Sequence, residues 1–255
     1  MTESQATILA DIRDEAAGIG SAVLAAGLAA RLLGGLAIWL RCPSVRQGPF
    51  ARSYADLDFV VSKAASQRFR ALLEARGYLP DKFFNGLHGA TRLYYQAPDA
   101  QWSIDIVIDE LTMSHRLDLR GQLDGRSATI NLADLLLTKL QVFEINHKDL
   151  GDTLCLLADH ELSGSGADPD AISLPRVTSV LGGDWGFGHT VERNLAKVAG
   201  LWAAAPLAGP AHDVATQVRA LQAAIEAAPK SLAWRVRSRV GERVRWYETP
   251  EEVRH

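Results

Sequence analysis

Cysteine is nearly absent from this 255-residue chain: Cys42 and Cys155 are the two. Thiols so far apart in sequence make neither a disulfide framework nor a zinc cluster. They fit a reducing compartment, so a cytoplasmic location is expected. The histidines, His88, His115 and His147 among them, are scattered without metal-ligand spacing. A strong charge of one sign is also missing. With a net charge of −3, no global basic field advertises nucleic acid. The first fifteen residues are acidic rather than basic, so no secretory signal is read there. Repeats and low-complexity tracts are absent. Even the longest apolar run is interrupted. Ser21 to Leu40 has the length of a membrane span, but Arg31 sits mid-run and Gly27, Gly34 and Gly35 break it. A central arginine costs about 2.5–3.5 kcal/mol on insertion. The stretch is instead expected to be a helix up to Leu33, then a buried strand over 36–40, and no membrane partner is expected.

What is present begins at Tyr54-Ala55-Asp56-Leu57-Asp58-Phe59-Val60-Val61. Strand side chains alternate between faces, so Asp56 and Asp58 point one way and Leu57, Phe59 and Val61 point into a core. Like charges on one face repel unless a cation lies between them. Paired carboxylates suit Mg²⁺, which keeps several waters and takes its other ligands from substrate phosphates. The plainer reading is a solvated strand start. A third acid, Asp105, lies within Ile104-Asp105-Ile106, inside a strand, where aspartate is depleted. If that strand neighbours the first, three carboxylates converge and can serve metal-assisted phosphoryl chemistry. Asp109 is on the same face, nearer the strand end.

Further along, Leu132, Leu135, Leu136, Leu140 and Phe143 form one helix face with Lys139 inside the apolar arc; Asp134, Thr138, Gln141 and Glu144 take the other. A lysine there must snorkel or meet an anion. Lys148-Asp149-Leu150-Gly151-Asp152 opens the next helix. Its acids suit a helix N-terminus, and Asp149 is alternatively placed to orient Lys139. Gly34-Gly35 permits close backbone approach to a phosphate, or is simple turn chemistry. Arg41, Arg46 and Arg52 precede the acidic pair as candidate phosphate ligands, or as a solvated loop. Near the end, Arg235, Arg237, Arg239, Arg243 and Arg245 are interleaved with Trp234, Trp246 and Tyr247. That pattern suits a nucleic-acid backbone with stacked bases, or a basic helix whose tryptophans anchor it.

The element order reads helix, strand, strand, helix, strand, strand, then helices. This predicts an α+β protein with a small mixed sheet flanked by helices and a helical C-terminal region, divided as 1–162 and 163–255.

The ordered set Gly34-Gly35, Asp56-Leu57-Asp58 and Asp105 resembles the nucleotidyltransferase fold of the polymerase-beta superfamily. Leu132 to Leu140, with Lys139-Leu140, followed by Lys148-Asp149, resembles the AbiEii-like branch, which includes toxins of toxin–antitoxin systems. Asp152 competes with Asp149 for that position. The resemblance spans roughly residues 30–160. It departs from the usual pattern at Gly35, where a serine is usual, and in the long gap before Asp56. It implies a Mg²⁺-dependent enzyme moving an NMP group from an NTP to an acceptor such as RNA, a protein or a small molecule. Asp56, Asp58 and Asp105 would hold the metal, with Asp105 also helping to deprotonate the acceptor. Lys139 would neutralise charge on the transferring phosphate, and Asp149 matches the aspartate of the motif that follows it. Gly34, Gly35, Arg41 and Arg52 would bind the nucleotide. It further implies an antitoxin partner if the chain is a toxin; an inactive nucleotide-binding module is the alternative.

Overall fold

A computed structural model of the chain describes residues 3–98, 100–123 and 127–249, with side chains from residue 12 onward. Packing separates it into two units. Unit 1 comprises Met1–Leu40, Arg52–Leu111 and Asp118–Asn131; unit 2 comprises Arg41–Ala51, Thr112–Leu117 and Leu132–His255. The main division thus falls at 131/132 rather than at 162/163. The helices between those points bury their apolar faces among the C-terminal helices.

Unit 1 is built on a five-stranded mixed sheet of order β1-β2-β5-β4-β3. The strands are β1 (Ala30–Leu33), β2 (Asp56–Val61), β3 (Leu79–Pro80), β4 (Arg92–Gln96) and β5 (Ser103–Ile108). Three helices of this unit are α1 (Glu3–Ala25), α3 (Ser66–Ala75) and α4 (Lys82–His88). The short α2 (Gly34–Arg41) leaves β1 directly. Alternation works as the sequence predicts on one face: Leu57, Phe59, Val61, Ile104, Ile106 and Ile108 are all buried. Phe59 meets Phe69 of α3 with ring centroids 5.2 Å apart. Ile12, Ala16, Ile19 and Val23 of α1 recur at helical spacing and are equally buried. On the other face of β2, Asp56 is exposed, Asp58 half-buried and Val60 fully covered, while Ser103, Asp105 and Val107 of β5 are all half-buried.

The region before β2 corrects the sequence reading. The expected helix up to Leu33 stops at Ala25, and Ala30–Leu33 is a strand. The expected strand over 36–40 belongs to α2. Alanine, leucine and arginine favour helices as a local preference, but pairing with β2 overrides it. Arg31, the residue that argued against a membrane span, lies buried in β1 and donates to the Leu28 carbonyl. No helix among the described residues is long and apolar enough to cross a membrane. Both edges of the sheet are guarded. Residues 128–130 bond to Leu32 on the outside of β1, and Pro80 sits in β3.

Unit 2 is mainly helical: α5 (Leu132–Leu140), α6 (His147–Asp159), α7 (Leu174–Gly183), α8 (Trp185–Ala204), α9 (Val214–Ala227) and α10 (Leu232–Val240). The starts are written in the sequence. Asn146, Ser173, Asp184, Asp213 and Ser231 each cap a helix by accepting a backbone N–H three residues on. Helix α5 ends four residues earlier than expected, because Asn194 Nδ2 takes the Leu140 and Val142 carbonyls at 2.9 and 2.8 Å. Its supposed polar face is interior: Asp134 and Gln141 are fully buried, and Arg176 pairs with Asp134 at 2.8 Å. Cys42 and Cys155 are both buried free thiols of this unit.

His115 is buried against Phe187, which it stacks on at 5.1 Å, and meets Thr190 Oγ1 at 2.8 Å. Burial pushes its pKa down from 6.5 to about 4. The unfolded chain therefore binds this proton more readily than the folded one. The stability so contributed is full above pH 6.5 and is lost as the pH falls toward 4. Denaturant unfolding of the wild type should lose about 2 kcal/mol from this group between pH 7 and pH 5. His115→Asn should flatten the slope over that interval; an unchanged slope would exclude His115 as its source.

Candidate active site

Strands β2 and β5 are parallel neighbours, with Asp56 opposite Ser103 and Asp58 opposite Asp105. The condition set by the sequence is therefore met: the D-x-D strand and the third acid are adjacent. Paired positions on neighbouring strands lie about 4.8 Å apart, so Asp58 and Asp105 share one patch of the face. Leu33 pairs with Asp58 across β1, which places Gly34 at the same end.

Gly34 has φ +74°, and a Cβ there would lie 1.9 Å from Asp58 Oδ2. Glycine is needed twice over, for the left-handed turn and for the carboxylate resting on it. The glycine pair is open to a phosphate approach or to simple turn chemistry; in the structure the immediate neighbour of Gly34 is the Asp58 carboxylate. At Gly35 a Cβ would meet the Tyr54 ring at 2.9 Å and Arg52 Nη2 at 3.1 Å. Arg52 itself lies over the Tyr54 ring at 5.1 Å. The nucleotide-binding candidates Gly34, Gly35 and Arg52 thus cluster in unit 1. Arg41 belongs to unit 2, where it pairs with Asp170 at 2.9 Å and donates to the Pro169 carbonyl.

Asp105 has a partner that the sequence reading did not single out. Arg92 Nε lies 2.8 Å from Oδ1 and 3.1 Å from Oδ2, and Nη2 also bonds Oδ2. The signal was available in the hairpin. Pairing Gln96 with Ser103 and Tyr94 with Asp105 puts Arg92 diagonal to Asp105 on the same face. Asp109, the lower-ranked acid, accepts the Lys63 N–H at 2.8 Å and serves the turn after β5.

The resemblance implies Mg²⁺, and the donor set fits it in part. Asp56 and Asp58 supply two hard oxygen ligands on one face, and the missing Cβ of Gly34 leaves room for the second carboxylate. Both oxygens of Asp105 also accept from the Arg92 guanidinium. Among the described residues, no group of three or more His, Cys, Asp or Glu is arranged to hold a metal ion.

In unit 2, Lys139 meets anions rather than snorkelling. Its Nζ lies 2.8 Å from Asp149 and 3.0 Å from Asp152, and Asp152 is fully buried. Burial pulls the lysine pKa down, but Asp152 and then Asp149 outweigh it and hold the pKa above the ordinary value. Asn146 fixes Asp149 from both sides, accepting its N–H and donating to its carboxylate. The C-terminal aromatics are taken up in packing. Trp246 meets Phe143 edge-on at 5.3 Å and donates to Thr190, and Tyr247 stacks on Phe143 at 3.7 Å. Arg237 lies over Trp185 and bonds the Gly241 and Val244 carbonyls. The anchoring role expected of the tryptophans holds for Trp246.

No protein-family model matches the chain, and no curated protein matches it. Among solved structures it is similar to a nucleotidyltransferase-like protein, described as antigenic, from Paracoccidioides brasiliensis. The identity is 12%, the TM-score 0.41, and the match covers 87% of this chain and 94% of that one.

Two variants test this geometry. Gly34→Ala should cost about 1–2 kcal/mol for the left-handed backbone alone, plus the displacement of Asp58. Lys139→Met leaves Asp149 and Asp152 without their cation and should cost about 3–5 kcal/mol in urea unfolding. A loss below about 1 kcal/mol would place Lys139 among solvent-relaxed surface pairs.

Proposed function

We propose that this chain is a divalent-metal-dependent nucleotidyltransferase with its catalytic carboxylates on the open end of the unit 1 sheet. The observation that carries the reading is the β2–β5 register, which sets Asp58 beside Asp105 with the Asp58 carboxylate resting on Gly34. Ordinary structural acids are rarely paired in this way, because adjacent carboxylates on a half-covered face repel. The element order and the motif positions support the nucleotidyltransferase fold.

In this reading an acceptor hydroxyl attacks the α-phosphorus of an NTP. A new P–O bond forms, the bond to the bridging oxygen of the β-phosphate breaks, and pyrophosphate leaves. Asp56 and Asp58 would hold a divalent ion, which would supply charge stabilisation for the phosphoryl oxygens. Asp105 takes the acceptor's proton. Arg52, beside Gly35, is the cation of unit 1 suited to the triphosphate. The charge-neutralising role of Lys139 rests on the resemblance alone; within unit 2, Asp152 and Asp149 maintain its cation. The AbiEii-like branch, and with it a toxin role, enters through Lys139-Leu140 and Lys148-Asp149 alone.

Incubation with each α-³²P-labelled NTP, Mg²⁺ and total RNA or lysate tests the reading. Wild type should label an acceptor, and the Asp56→Ala/Asp58→Ala double variant should not. Equal labelling by both proteins would refute the assignment. NTP binding without transfer would assign the chain to non-catalytic nucleotide binding.

A further inference from the structure

The arginine-rich stretch near the C-terminus takes no part in the carboxylate site of unit 1. It forms α10, and the helix turns an unexpected face outward. Its half-buried positions are Trp234, Arg237 and Ser238, with Gly241 just past its end, which is helical spacing. Trp234 faces α8, where a Cβ on Gly188 would lie 3.8 Å from its Nε1. The aliphatic residues point away from the unit. Leu232, Val236 and Val240 are 77%, 56% and 38% exposed. Exposed aliphatics scattered singly are ordinary, but these three stand in one row. Residues four apart make the ridge along which one helix packs into the groove of another. Arg235 and Arg239, both exposed, form a parallel row beside it. Among the described residues, neither guanidinium is paired with a carboxylate. Glu242 is the one acid between residues 231 and 247, and it is held by His189 at 2.7 Å and Arg193 at 3.6 Å.

We propose that the outer face of α10 docks an amphipathic helix of a partner protein whose apolar stripe is flanked by acidic residues. Leu232, Val236 and Val240 fill the groove of that helix, and Arg235 and Arg239 pair with its carboxylates. Charge complementarity fixes the sign of the partner, and the apolar ridge fixes its kind. A nucleic acid would use rings for stacking, but Trp246 and Tyr247 are packed on Phe143 and Trp234 faces α8. A helix lying in a membrane interface sets tryptophan, phenylalanine or leucine outward, whereas α10 turns its tryptophan inward and shows mainly valine. Two copies joined through α10 would set arginine against arginine. The proposal concerns unit 2 alone and stands apart from the transferase reading.

Fluorescence anisotropy of labelled synthetic peptides with the full chain provides the test. The first probe is a helical peptide with leucines four apart flanked by glutamates. The second carries lysine in place of each glutamate, and the third scrambles the order of the first. Wild type should bind the first probe about tenfold more tightly than the others, and salt should weaken that binding. Val236→Asp should lose about tenfold in affinity for it. Arg235→Glu/Arg239→Glu should lose as much and should gain binding to the lysine probe, a reversal that a misfolded variant does not produce. Circular dichroism checks the fold of Val236→Asp, and the charge reversal decides the point if that variant is unfolded. Failure to bind the first probe, equal binding of all three, or indifference to both variants would overturn the proposal. Tighter binding through the same arginines to phosphatidylserine vesicles, or to RNA, would overturn it in favour of a lipid surface or a nucleic acid.

Discussion

Two carboxylates held on adjacent parallel strands impose the central constraint on unit 1. At a strand separation of about 4.8 Å, the Asp58 and Asp105 carboxylates repel each other on a half-covered face unless other groups offset the charge. The surroundings of that patch answer the constraint. Gly34 gives up its side chain so that Asp58 can lie against backbone. Arg92 brings a fixed positive charge to Asp105. Farther up the same face of β2, Val60 is fully covered, so the acids of that strand lie at its start. Hydrophobic alternation fixes which face the acids occupy, and the charges then dictate what can stand beside them.

Unit 2 meets the same problem in a drier setting. Lys139, Asp149 and Asp152 form a buried ionic cluster in which two acids share one base. Taking such charges from water is expensive, so the arrangement depends on its hydrogen bonds. Asn146 provides them for Asp149 while also capping α6. The pair Asp134–Arg176 repeats the pattern on α5. Between these pairs the helix face that looked solvated from its composition becomes interior.

Much of the candidate site's placement was legible in the sequence because strand periodicity is a strong rule. Asp56, Asp58 and Asp105 were identifiable from alternation, and Lys139 from its place in an apolar arc. Register was not legible, because pairing β2 with β5 depends on which strands meet, and nothing local to either encodes it. Arg92 was overlooked since an arginine in a strand reads as ordinary solvated surface; only the hairpin register reveals its neighbour. Strand β1 was misread because Ala30-Arg31-Leu32-Leu33 has helix-favouring composition, and the pairing that overrides it comes from β2. The division into units was obscured for a related reason. The chain leaves and re-enters unit 1, so contiguous stretches of sequence are not contiguous bodies.

The backbone bonds that fasten residues 128–130 along β1 have a consequence for how the protein is made. Leu32 is synthesised early and Thr129 late, with all of β2 to β5 between them. Contacts so distant in sequence must close a large loop before they stabilise anything. On the ribosome, the outer edge of β1 therefore stays uncovered while the rest of the sheet assembles. That interval is when the nascent chain offers a bare strand edge to its neighbours, and emergence of residue 130 ends it.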